Sequence, residues 1–149
     1  MHVMNRLRGF RLAMALAAVL FTAGAAVAAD PTVTVDPNGD LNGPRDIATV
    51  SITTQCAALA TGQSAAMTVY IFQSVGRLIN IGVANLVPTC DGADHNVLVD
   101  VKVIPGLKLQ PGPATLLVSI AITSTDTATT PPTTTVTTFS TGAKVKLHP

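Results

Sequence analysis

Hydrophobic positions along this chain fall into two regimes. Residues 12–23 (LAMALAAVLFTA) are apolar or small apart from Thr22, whereas from Val33 onward apolar residues recur at every second position in short bursts. Strict alternation marks a strand with one buried face, because successive side chains of an extended chain point to opposite sides. Val33 and Val35 open the first burst. Ala48, Val50, Ile52 and Cys56 share a face of the second, with Thr49, Ser51, Thr53 and Gln55 opposite. Residues 67–75 (MTVYIFQSV) are apolar on both faces, which predicts a central strand. After a tight turn at Gly76, a further strand puts Ile79, Ile81, Val83 and Val87 on one face. The clearest alternation sets Val97, Val99, Val101 and Val103 against Asn96, Leu98, Asp100 and Lys102. Ala114, Leu116, Val118, Ile120 and Ile122 form another face. Residues 133–141 (TTTVTTFST) read as a weaker strand, and Ala143, Val145 and Leu147 then face away from Lys144 and Lys146.

Turn chemistry separates these bursts. The stretches at 36–45 (DPNGDLNGPR), 59–64, 88–94 (PTCDGAD), 105–113 and 124–132 concentrate Gly, Pro, Asn and Asp. No segment beyond residue 29 shows a helical period. Seven or eight short strands with such punctuation describe a β-sandwich or a small barrel. Its core is expected to be aliphatic, with Tyr70, Phe72 and Phe139 as the aromatic members.

The continuous apolar run has a different meaning. Arg6, Arg8 and Arg11 precede it without an acid, and Ala26-Val27-Ala28 follows it. A positive start, a dozen apolar residues and a small-residue end make a helical secretory signal peptide over residues 1–28, cleaved after Ala28 or, as second choice, Ala29. The run is too short for the ~20 residues that cross a bilayer. Taking it away leaves one domain over residues 29–149. That domain holds eight Asp against six Lys and Arg, so the whole-chain charge of +1 becomes −2. It contains no Glu and twenty Thr. A weakly acidic, Thr-rich surface excludes the basic footprint of a nucleic-acid binder, and no membrane contact is expected after cleavage.

Export also bears on the two cysteines. Cys56 and Cys90 enter an oxidising compartment, and their spacing is unlike the C-x-x-C of redox proteins, so they are expected to form a structural disulfide. The polar cluster after Cys90 contains Asp91, Asp94 and His95, whose side chains are metal ligands if a turn converges them. The plainer reading is an Asp-Gly turn with His95 starting the next strand. Asp36, Asn38 and Asp40 have the opening spacing of a calcium loop, but Leu41 and Ile47 stand where that loop requires Gly and Glu. His148 is expected to be frayed. Ser64 lacks the second glycine of a nucleophile elbow, so the chain is expected to be a non-enzyme without a cofactor. The Thr/Pro stretch from 123 to 141 reads as an exposed loop between Thr-rich edge strands, with an O-glycosylated segment as the other reading.

Cys56 at a strand end, Cys90-Asp91-Gly92 with His95 before an alternating strand, and Pro111-Gly112-Pro113-Ala114 opening another together resemble small secreted proteins of actinobacteria. The resemblance spans about residues 32–122. Members of that group carry an aromatic residue soon after the His, where Val97 and Leu98 stand here. It implies an immunoglobulin-like β-sandwich of antiparallel strands with one disulfide, and an export route. The resemblance implies no activity; from the export signal, the lack of a catalytic motif and the exposed loops, the chain is expected to be a monomeric extracellular or cell-wall-associated domain that binds a protein or glycan. The expected binding loops are 36–45, 57–64, 105–113 and 124–132. A small-molecule carrier with a cleft lined by Tyr70 and Phe72, or a protease inhibitor, is the alternative.

Overall fold

A computed structural model describes residues 29–149, so the expected signal peptide over 1–28 lies outside the described residues. Seven strands follow one another: β1 (Thr32–Leu41), β2 (Ile47–Gln55), β3 (Gln63–Val75), β4 (Leu78–Leu86), β5 (Asp94–Val103), β6 (Gly112–Asp126) and β7 (Thr133–His148). They pair in the order β1-β2-β5-β4-β3-β6-β7, and β7 returns to β1 to close a barrel. The immunoglobulin-like sandwich is thereby corrected to a closed barrel. The uniformly antiparallel expectation is corrected as well, because β1 and β7 run parallel. Alternation cannot separate the two architectures, since both turn every second side chain inward.

Closure depends on two short seams. Between β4 and β5 only Gly82↔Val103 and Val83↔Lys102 are in register. Between β1 and β7 the register covers Asn38, Gly39 and Asp40 against Lys146, Leu147 and His148. A buried glycine sits in each seam. A Cβ on Gly82 would meet Ile71 Cγ2 at 2.8 Å and the Lys102 carbonyl oxygen at 3.0 Å. One on Gly39 would meet Val50 Cγ1 at 2.9 Å and Leu147 Cδ2 at 3.2 Å. Any larger residue would push the neighbouring strands apart, so these two positions let the sheet's edges meet.

Both seams lie at the same end of the barrel. This end carries the β1–β2, β3–β4 and β5–β6 connections and is called the locked end below. The other carries the β2–β3, β4–β5 and β6–β7 connections, where β1 has parted from β7 and β4 from β5; it is called the open end.

Most inward faces follow the alternation. Ala48, Val50 and Ile52 on β2, Val99, Val101 and Val103 on β5, and Leu116, Val118 and Ile120 on β6 are buried, as are Val145 and Leu147. The core is aliphatic, supplemented by Met67. Three elements differ. The 36–45 loop is partly strand: β1 continues to Leu41 through a bulge between Val35 and Gly39. Pro37 has no N–H for a ladder, and Asp36 Oδ1 accepts the Asn38 N–H at 2.8 Å. β7 is one continuous strand, and His148 is paired with Asp40 rather than frayed. β4 is inverted. Asn80 and Gly82 point inward, whereas Ile79 and Val83 are exposed.

Candidate functional site

The open end holds the cysteines. Cys56, just past β2, is bridged to Cys90 in the β4–β5 connection, with Cα atoms 4.7 Å apart. This is the expected disulfide, and it is compatible with an oxidising compartment. The Gly92 N–H donates to the Cys56 carbonyl at 2.9 Å, and Gln55 Nε2 donates to the Gly92 carbonyl at 3.1 Å. Gly92 takes φ 89°, a conformation that favours glycine. Within this turn Asp91 Oδ1 accepts the Ala93 N–H at 2.9 Å and lies 2.8 Å from His95 Nε2. The Ala93 backbone bond, followed by the His95 contact, holds the Asp91 carboxyl below its ordinary value. Asp94 takes no part in these contacts. Among the described residues no group of three His, Cys, Asp or Glu side chains converges as metal ligands do. Asp91 and His95 therefore meet as a turn-stabilising pair. Asp36 and Asn38 likewise bond each other at the β1 bulge.

The locked end has a different construction. The β5–β6 loop folds back across the barrel mouth and inserts Leu109, which is 0% exposed. Two inward amides on the β3–β4 hairpin, Gln73 and Asn80, stand opposite each other in register and hold that loop. Gln73 Nε2 donates to the Gln110 carbonyl and Gln73 Oε1 accepts the Gln110 N–H, both at 2.7 Å. Asn80 Nδ2 donates to the Lys108 carbonyl. The Leu109 N–H donates to the Arg45 carbonyl at 3.0 Å, and Arg45 Nη1 to Gln110 Oε1 at 3.0 Å. These bonds fix residues 108–110 of the 105–113 loop, with Arg45 at the end of the 36–45 stretch, across the mouth as a plug. Asn80 explains the inversion of β4: a buried amide with a backbone carbonyl to serve is stable inside, and Gly82 two residues on must also face in.

The inversion turns the apolar side of β4 outward. In register across the outer surface lie Val83, Tyr70 and Leu117, then Ile81, Phe72 and Thr115. Ile79 beside them is 62% exposed and Tyr70 37%. The Tyr70 and Phe72 rings stand 6.1 Å apart at 25°. The aromatics expected inside are thus outside, and Phe139 is only half-buried. Next to this patch an open groove of about 610 Å³ is bordered by Phe72, Ile79, Pro113 and Lys144. The opposite outer surface, on β2 and β5, is polar apart from the exposed Leu98. Thr49 Oγ1 donates to Asp100 Oδ1 at 2.6 Å, and Asn96 Nδ2 donates to Ser51 Oγ at 2.9 Å and Thr53 Oγ1 at 3.0 Å.

Charge is divided the same way. Asp30, Asp36, Asp40, Asp46, Asp91, Asp94 and Asp100 lie on β1, β5 and their adjoining segments together with Arg45, Lys102 and Lys108, seven acids against three cations and a net charge of −4. The β4-β3-β6-β7 side carries Arg77, Lys144 and Lys146 and, at the far end of β6, Asp126. Sequence reasoning missed the apolar face because it takes the more hydrophobic side of a strand as the inner one. The available signal was β3, apolar on both sides, whose second face a single-layered barrel leaves uncovered.

Comparison of the chain with protein-family models, with curated proteins and with solved structures finds no match.

Proposed function

We propose that the chain is a secreted, non-enzymatic binding domain, extracellular or cell-wall associated, that takes a protein partner on the outer face of β4, β3 and β6. The supporting observation is the contiguous apolar surface of Ile79, Ile81, Val83, Tyr70, Phe72 and Leu117 across three neighbouring strands. Contiguous exposed apolar surface on a soluble domain marks an interaction site. The centre of the patch presents aliphatic carbon rather than hydrogen-bonding groups, which favours a protein over a glycan. The carrier reading has less support, because the groove that Phe72 borders is open to solvent and Tyr70 does not line it.

The test is capture from the cell-wall and culture-supernatant fractions by immobilised protein, comparing variants. Ile79→Lys combined with Val83→Lys should lower capture of each specific band at least about tenfold, the effect of losing a buried hot spot. Thr129→Ala with Thr130→Ala in the open-end loop should leave it unchanged. Equal capture by both variants would refute the assignment to this face.

A further inference from the structure

The apolar face needs an occupant, and the charge division described above selects one. A symmetric contact that sets this face against itself, locked end to locked end, would bring Arg77 and Lys144 of one copy towards the same cations of the other, a like-charge arrangement that disfavours association. The β2–β5 face of the same molecule carries Asp94 and Asp100 against Lys102, a net charge of the opposite sign. It also carries one conspicuous apolar side chain: Leu98 is 74% exposed in the middle of β5. Its neighbours on that face are Asn96 and Asp100 along the strand and Ser51 across it. Leu98 and Asp100 are two residues apart on one side of a strand, about 7 Å. Across the groove, Phe72 and Lys144 are separated by one intervening strand through the register Phe72↔Thr115↔Lys144, about 10 Å. A leucine with an acid beside it thus matches an apolar groove with a lysine at its rim.

We propose that the occupant is the polar face of a second copy of this chain. Leu98 of one molecule seats between Phe72 and Ile79 of the next, and its Asp100 faces that molecule's Lys144. This inference rests on the binding-face reading and names the partner. It replaces the monomer expected from sequence. Because the contact joins two different surfaces, each copy in a chain keeps one unused knob and one unused groove, so association is head-to-tail and open-ended unless the rotation closes a ring. The net charge of −2 on the domain leaves little overall repulsion to oppose it.

Sedimentation equilibrium of the purified protein should show an average mass that rises with concentration. Leu98→Ser and Ile79→Ser, both at exposed positions, should each be monomeric with unchanged near-ultraviolet spectra. Mixed together they should form a 1:1 dimer and nothing larger, since one retains only the groove and the other only the knob. Asp100→Lys and Lys144→Asp alone should each weaken association by no more than about fivefold, and combining them in one chain should restore it. A wild-type protein that stays monomeric at all concentrations, or a mixture that fails to dimerise, would overturn the proposal. If the wild type is monomeric and the Ile79→Lys, Val83→Lys variant still loses capture of a cell-wall protein, self-association fails while the binding face stands. If both assays are blank, the face itself is misassigned.

Discussion

The two ends of the barrel reach order by different means. At the locked end the strands meet, two glycines let them touch, and a loop is drawn in by Leu109 and by amides that bond its backbone. At the open end the same strands have separated, and a covalent bridge ties the β2 terminus to the β4–β5 connection. Noncovalent closure demands shape: every neighbour of Gly39, Gly82 and Leu109 is constrained. Covalent closure demands little of its surroundings and leaves the loops around it exposed. Exposed loops at one end and a plugged mouth at the other leave the open end and the outer faces as the surfaces least committed to closure, the kind of position where binding is found on rigid scaffolds.

The most severe test of this contrast is Leu109→Ala. It removes the plug from a fully buried site and should cost about 3–5 kcal/mol, the range for buried leucines that leave a cavity. Denaturant unfolding measures the loss. Hydrogen exchange should show it concentrated in residues 104–111, whose amides bond to Arg45, Gln73 and Ile104. Removing the disulfide by Cys56→Ala with Cys90→Ala comes next. A bridge between residues 34 apart contributes about 3–4 kcal/mol in the chain-entropy model. Exchange should then rise first at residues 56–62 and 87–93, with the locked end still protected. If either variant loosens both ends equally, the ends are one cooperative unit and the contrast fails.

A smaller effect probes closure itself. Gly82→Ala forces a methyl against Ile71 and the Lys102 carbonyl, and should cost about 1–3 kcal/mol as an overpacked site. Gly43→Ala, in the β1–β2 connection at the same end, meets nothing within 4 Å and should change stability by less than about 0.5 kcal/mol. Equal effects at the two positions would mean that the β4–β5 seam tolerates separation and that the barrel is held without it.

Much of this was readable beforehand, and the exceptions share a cause. The inward faces of β2, β5 and β6 were legible because each packs aliphatic residues against polar ones on the other side, and the disulfide because two cysteines leave one intramolecular pairing. β4 was misread because Asn80 and Gly82 face in for reasons that hydropathy does not express: one amide satisfies a carbonyl of a distant loop, and one glycine makes room for a neighbouring strand. The 105–113 segment showed its loop chemistry through Pro and Gly, but those residues do not say whether a loop turns outward or folds in. Leu107 and Leu109 flanking Lys108 were the hint, a two-residue alternation inside a turn-rich stretch. Barrel closure depends on two close approaches between strands far apart in sequence, Gly39 with Leu147 and Gly82 with Val103. Local patterns carry no record of such contacts. The Asp91, Asp94 and His95 cluster was legible as a turn, though only the structure separates Asp94 from the other two.

The mildest difference between the ends concerns acid. The open-end turn contains a carboxylate whose folded value is depressed, first by the Ala93 N–H and then by His95. A depressed folded value means that the unfolded chain binds the proton more readily. The Asp91 contribution is therefore fully present above the ordinary carboxylate range and is lost as pH falls through the lower folded value. Asp91→Asn removes the titrating group. The wild type should exceed this variant in urea midpoint at about pH 6, and the gap should narrow as the pH is lowered towards about 2 and the wild-type carboxylate takes up its proton. The effect is small, because the side chain is exposed and its interaction screened. A gap that stays the same at both pH values would place the Asp91 contribution in shape rather than charge, and the acid sensitivity of the open end would then have to come from elsewhere in the β4–β5 connection.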